Sequence, residues 1–131
     1  MAAHYTEAEA ETIRSFVRAR KRERERRRAA LLVSARIDCE AIVRVIAREI
    51  DPVRIYLWGS LVSSGHFSER SDIDIAVEGA ADPEKLFVLA GRAQGMTGFD
   101  LDVVRLEAVH PAYAEHIRRR GKVVHERPEK R

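Results

Sequence analysis

The chain has 131 residues, 24 of them Lys or Arg against 21 Asp or Glu, for a formal charge of +3. That length holds one domain with one small core and excludes a multidomain machine. With 45% hydrophobic residues and only 7 Gly and 4 Pro, the chain is also too apolar to be disordered and lacks any collagen-like bias.

Taken in chain order, Met1 to Glu7 show neither the basic start nor the apolar core of a leader. No later stretch nears the roughly 20 apolar residues that a bilayer crossing needs. A cytoplasmic protein with no membrane partner is therefore expected. Thr6 followed by Glu9 is a capping-box pattern, and from there to Ile50 the chain contains neither Gly nor Pro, so helix is predicted throughout. Ile13, Phe16 and Val17 form a short apolar stripe. Leu31, Leu32, Ala35, Ile42, Val45, Ile46 and Ile50 form a longer one at helical spacing. The single Cys39 rules out an internal disulfide and a cysteine-built zinc site, and reads as a small buried residue of that helix.

Between the stripes lies Lys21-Arg22-Glu23-Arg24-Glu25-Arg26-Arg27-Arg28. Residues 1 to 30 hold nine Lys or Arg against five Glu, and the remainder fifteen against sixteen acids, so the basic excess is N-terminal. The run reads as a solvated or partner-facing helix in which Glu23 and Glu25 pair with arginines three or four positions on. Nucleic-acid contact is the less favoured reading, because no aromatic residue interleaves the run to stack on bases. Whether one bent helix or two helices meeting near residues 26 to 30 form here stays open. The expected organisation is a charged N-terminal helix over 1–30, through which an oligomer could form, and a domain over 31–131.

Asp51-Pro52 stops the helix, and Val53 to Trp58 reads as a strand ended by Gly59-Ser60. A polar loop leads to a strictly alternating second strand, Asp72 to Glu78. Asp82-Pro83 caps a helix predicted to about Gln94, Phe99 to Val104 forms a third strand, and His110-Pro111 opens a last helix closed by Gly121 before a short strand over Lys122 to His125. These elements predict an α+β fold, a small mixed sheet with helices packed on it and an N-terminal helical extension.

Alternation places Asp72 and Asp74 on one face of the second strand and Ile73, Ile75 and Val77 on the other. It does the same for Asp100 and Asp102 against Phe99, Leu101 and Val103. Carboxylates about 6 to 7 Å apart along a strand repel unless a cation lies between or beside them, and such hard oxygen donors suit Mg2+ or Mn2+. The bland alternative is a polar outer face on which these aspartates meet arginines or water. Gly59-Ser60, at the end of an apolar strand, can offer backbone N–H groups and a hydroxyl to phosphate oxygens; a plain helix cap needs the same geometry. His66, His110 and His125 read as surface or cap residues, and Tyr56 and Trp58 as core.

Trp58-Gly59-Ser60, eleven residues, Asp72-Ile73-Asp74 and then Leu101-Asp102-Val103-Val104 together resemble the signature of the nucleotidyltransferase superfamily that includes polymerase β. They are most similar to its minimal bacterial and archaeal members, over roughly residues 40 to 126. The resemblance implies a nucleotidyltransferase fold, Gly59 and Ser60 as nucleotide-binding residues, and Asp72, Asp74 and Asp102 as metal-binding and catalytic residues, with Asp102 as general base. It further implies ATP or another nucleoside triphosphate as substrate and AMP transfer to a hydroxyl, in antitoxins that modify a tyrosine of a partner HEPN toxin. The spacer between Ser60 and Asp72 is one residue longer than the commonest minimal form, and Leu61-Val62-Ser63 stands where an arginine often follows the Gly-Ser pair. The rival expectation is a non-catalytic partner- or nucleic-acid-binding module with a degenerate site.

Overall fold

A computed structural model describes residues 4–63 and 67–128; His66 lies outside them. A single helix, α1 (Glu7–Glu49), forms across the charged run, and not two helices meeting near residues 26 to 30. Its capping box is complete: the Thr6 hydroxyl accepts from Glu9 N–H at 3.1 Å, and the Glu9 carboxylate accepts from Thr6 N–H at 2.8 Å. At 43 residues it is about 65 Å long. Only its C-terminal part is anchored, through Ala35, Cys39, Ile42, Val43 and Ile46, a row at helical spacing buried against the sheet. Ile13, Phe16 and Val17 remain exposed. Glu23 pairs with Arg26 and Arg27 as expected, whereas Glu25 forms no ion pair among the described residues. The helix ends where Asp51 adopts φ +46 and its N–H donates to the Ala47 carbonyl at 3.1 Å, after which Pro52 prevents continuation.

Four strands follow: β1 (Arg54–Trp58), β2 (Ile73–Glu78), β3 (Leu101–Arg105) and β4 (Lys122–Glu126). They form one mixed sheet in the order β3-β2-β1-β4, with β2 and β3 parallel and the other pairs antiparallel. A parallel pair needs a crossover, and α2 (Pro83–Ala93) with a following 3-10 turn (Gln94–Met96) supplies it. The helix α3 (Pro111–Arg120) joins β3 to β4.

The two sheet faces carry different loads. Ile55, Ile73, Ile75 and Val77 point to α1 and α2 and make the main core with Ile42, Ile46, Leu86 and Leu89. Fully burying each such side chain contributes about 1.5–3 kcal/mol. Tyr56 and Ala76 point the other way, under Ala114 and Ile117 of α3. Cys39 belongs to the main core, where burial pushes its thiol up to about 12. Gly121 closes α3 without a left-handed conformation. A Cβ there would meet the Ile117 carbonyl at 2.5 Å, so glycine is required by close approach.

Candidate active site

The α3-covered face of the sheet also holds the acidic residues. In the register, Trp58 pairs with Asp74 across β1 and β2, and Asp74 pairs with Asp102 across β2 and β3. Paired residues project on the same face, so Trp58, Asp74 and Asp102 form one row at the end of the sheet. Asp72 precedes β2 by one residue and is exposed, as is Asp102, while Asp74 is half-buried. Asp100 lies before β3; its backbone carbonyl accepts from Ile73 N–H at 2.8 Å.

Gly59 stands beside this row. Its φ of +72 is a left-handed conformation, and a Cβ there would collide with Asp74 Oδ2. Both facts demand glycine. Gly59 opens a 3-10 turn (Gly59–Leu61) that contains Ser60, and the N-cap Trp58 offers no side-chain acceptor to the turn's leading N–H groups.

Electrostatics distinguishes Asp74 from an ordinary surface carboxylate. Burial first, then the neighbouring charges of Asp102 and Asp72, push its carboxyl up to about 6. Ion pairs on this face gather at Glu78 instead, where Arg54 and Arg118 bind at 3.1 and 3.0 Å. None of Asp72, Asp74 and Asp102 is neutralised by an Arg, Lys or His among the described residues. Nor do three His, Cys, Asp or Glu side chains among those residues already form a closed ligand set. The donor chemistry nevertheless fits a divalent cation: hard oxygens carrying mutually repelling, uncompensated charge.

Several residues at this site were not picked out by sequence reasoning. Tyr113, in the first turn of α3, packs edge-on against Trp58 with ring centroids 5.3 Å apart. Burial, then Asp74 and Asp102, raise its phenol pKa. A cleft of about 350 Å3 runs between α3 and the turn, with Trp58, Gly59, Ser63, His116 and Arg120 among its walls. From the sequence, Arg118, Arg119 and Arg120 could reach a triphosphate, although complementing the dipole at the end of α3 already accounts for them; in the structure their directions differ. Arg118 reaches Glu78, Arg119 reaches Glu115, and Arg120 lines the cleft. The apolar pair Ala114 and Ile117 was the available signal, because it fixes which flank of α3 carries positions 113, 116 and 120. His110 is the N-cap of α3, its Nδ1 accepting from Ala112 N–H at 3.1 Å. His125 Nε2 lies 3.5 Å from Asp51.

The family described as "Polymerase beta, Nucleotidyltransferase" matches residues 40–130; the chain belongs to it. Among solved structures, a chain of a toxin–antitoxin crystal structure with AMP-PNP is 27% identical with a TM-score of 0.55, over 67% of this chain and 73% of the other. A chain from the complex of a tri-AMPylated Shewanella oneidensis HEPN toxin with an MNT antitoxin is 24% identical, TM-score 0.54, over 71% and 73%. A putative minimal nucleotidyltransferase is 23% identical, TM-score 0.57, over 70% of this chain and 93% of the other; the last two likenesses concern the fold alone. No curated protein gives a significant match. The fold is thus that of a nucleotidyltransferase, and α1 up to residue 39 lies outside the matched family region. Among the described residues no helix is long and apolar enough to cross a membrane.

Proposed function

We propose that the protein transfers a nucleoside monophosphate, AMP from ATP, to a hydroxyl of a partner protein, with a tyrosine of a HEPN toxin as acceptor and an antitoxin role as the consequence. The observation that carries this reading is the position of Asp74, paired in register with both Asp102 and the residue before Gly59, and bearing charge that no Arg, Lys or His among the described residues offsets. The 27%-identical neighbour with AMP-PNP supports the nucleotide.

Asp72, Asp74 and Asp102 would hold Mg2+ or Mn2+, which neutralises the triphosphate and lowers the pKa of the acceptor hydroxyl. The left-handed Gly59 lets the main chain pass close to Asp74, so that the turn's N–H groups and the Ser60 hydroxyl face phosphate oxygens beside the carboxylates. Asp102, the exposed member of the row, accepts the proton of the acceptor hydroxyl. Tyr113 packs edge-on against Trp58 at the end of the row.

The test is incubation with radiolabelled ATP, magnesium and the candidate toxin. Label on a toxin tyrosine is expected, and Asp72→Asn and Asp74→Asn should abolish it. Undiminished labelling by both variants overturns the proposed site.

A further inference from the structure

The part of α1 that precedes Leu31 projects beyond the core. Ile13, Phe16 and Val17 stay exposed, and the side chains of α1 that pack on the domain begin with Leu31, Leu32 and Ala35. In a straight helix Leu31 follows Ile13 by about five turns, so the exposed stripe continues the side of α1 that the domain covers further on. The charges around the stripe are sorted along the axis. Residues 7–11 hold three Glu and no Lys or Arg, whereas residues 18–28 hold eight Lys or Arg against two Glu. On the side of the stripe itself, within about 40° of Ile13, Glu9 stands ahead of it and Arg20 and Arg24 behind it, the Arg20 guanidinium 5.9 Å from the centre of the Phe16 ring. Glu9 serves the helix cap, and none of the three enters an ion pair among the described residues. Glu7 and Glu11, turned to the neighbouring flank, are met by Arg14 and Arg18.

We propose that this side of α1 is the contact of a symmetric homodimer, in which the helices of two copies of the chain run antiparallel about a twofold axis at the stripe. Such a contact needs a surface complementary to itself. The order acid, apolar, base along one side of α1 meets that condition only antiparallel: Ile13, Phe16 and Val17 of the two copies interdigitate, while Glu9 of each copy faces Arg20 and Arg24 of the other. A parallel pair would oppose Glu9 to Glu9 and Arg24 to Arg24. The projecting segment is also long enough. With residue 15 at the axis, Leu31 of one copy lies about 48 Å along the helix from Leu31 of the other, so the two domains sit at opposite ends and do not collide. Three apolar side chains from each copy make a small contact, and association in the micromolar range, stronger at low salt, is expected.

Sedimentation equilibrium of the full chain over roughly 1 to 300 µM, at about 0.05 and 0.5 M salt, tests this. The wild type is expected to pass from monomer to dimer in that range and to dissociate more readily at the higher salt. Phe16→Glu should weaken the dimer roughly 100-fold or more. Glu9→Lys and Arg24→Glu should each weaken it roughly 5- to 20-fold, since each change occurs twice in a symmetric pair. An equimolar mixture of those two variants should regain wild-type association, because every charge again faces its opposite. Arg22→Glu, on the far side of α1, makes the same change in net charge as Arg24→Glu and should leave the dimer as it was. All these residues are exposed, so the variants should fold, and thermal melting checks this. A wild type that stays monomeric up to about 300 µM overturns the inference, and capture of the candidate toxin by that monomer through Phe16 would give the stripe to a different partner and overturn it equally. A dimer indifferent to Glu9→Lys and Arg24→Glu, one not regained in the mixture, or one weakened as much by Arg22→Glu overturns the antiparallel contact.

Discussion

Asp74 and Glu78 sit four residues apart on the same face of β2, both partly shielded by α3, and their surroundings are opposite. Burial raises the Glu78 pKa, but the Arg118 and Arg54 guanidiniums, with the Tyr56 hydroxyl donating at 3.3 Å, together hold it below the usual carboxylate range. Asp74 meets the same cost of burial, adds the repulsion of Asp102 and Asp72, and receives no compensating cation among the described residues. One end of the strand is a finished structural network in which every charge has a partner. The other end carries uncompensated charge that weakens the fold, as expected of groups positioned for something outside the chain.

The most severe way to break the contrast is Asp74→Asn. AMP transfer should fall by roughly three orders of magnitude or more. Stability at neutral pH should rise, because a carboxyl whose folded pKa of about 6 exceeds its unfolded 3.8 opposes folding once ionised. For the wild type this means stability falls as pH rises from about 4 to about 6 and then levels, a loss of at most about 3 kcal/mol, reduced by solvent screening of the half-buried carboxylate. Thermal melting across pH 3.5 to 7.5 should show that slope in the wild type and lack it in Asp74→Asn. Added Mg2+ should stabilise the wild type most above pH 6, where the carboxylate is free of its proton.

Gly59→Ala attacks the same end through the backbone. A side chain at φ +72 that also strikes Asp74 Oδ2 should cost about 2 kcal/mol or more in denaturant unfolding, and it should abolish nucleotide binding together with activity.

How much of this was legible in the chain depends on whether a pattern is local. The alternation of β2 exposes its two faces without coordinates, and an unbroken run without Gly or Pro announces α1. The charged stretch between its two stripes carries no core pattern, so sequence alone left open whether one helix or two would form. The pairing of Asp102 with Asp74 depends on strand order, which residue spacing does not encode, and it entered through family resemblance. The cleft wall was only partly legible, for a different reason. Arg118, Arg119 and Arg120 are adjacent letters but point about 100° apart on a helix, and only the packing of Ala114 and Ile117 decides which of them faces Gly59.

Glu78→Gln tests the finished end. It leaves Arg54, Arg118 and Tyr56 without a charged partner, and Glu78 has only 18% of its side chain exposed. The arginines are more exposed and regain water, so the expected cost is about 1–2 kcal/mol, read by urea unfolding, with nucleotide affinity unchanged. A loss of affinity equal to that of Asp74→Asn would mean that the two ends are not separable.

The finest comparison uses one substitution twice. Tyr56 and Tyr113 each lie beside a carboxylate of this face, and burial followed by acidic neighbours raises the pKa of both. Tyr56 is buried, and its hydroxyl donates to Glu78. Tyr56→Phe therefore removes a hydrogen bond from a satisfied network and should cost about 1 kcal/mol. Tyr113 is 39% exposed, and its hydroxyl faces charge without a hydrogen bond to the carboxylates among the described residues. Tyr113→Phe keeps the edge-on contact with Trp58 and should change stability by less than about 0.5 kcal/mol. Paired urea titrations measure the difference. Equal costs at the two sites would show that the hydroxyl of Tyr113 is as firmly bound as that of Tyr56, and that the carboxylate end of β2 is a closed network like its neighbour.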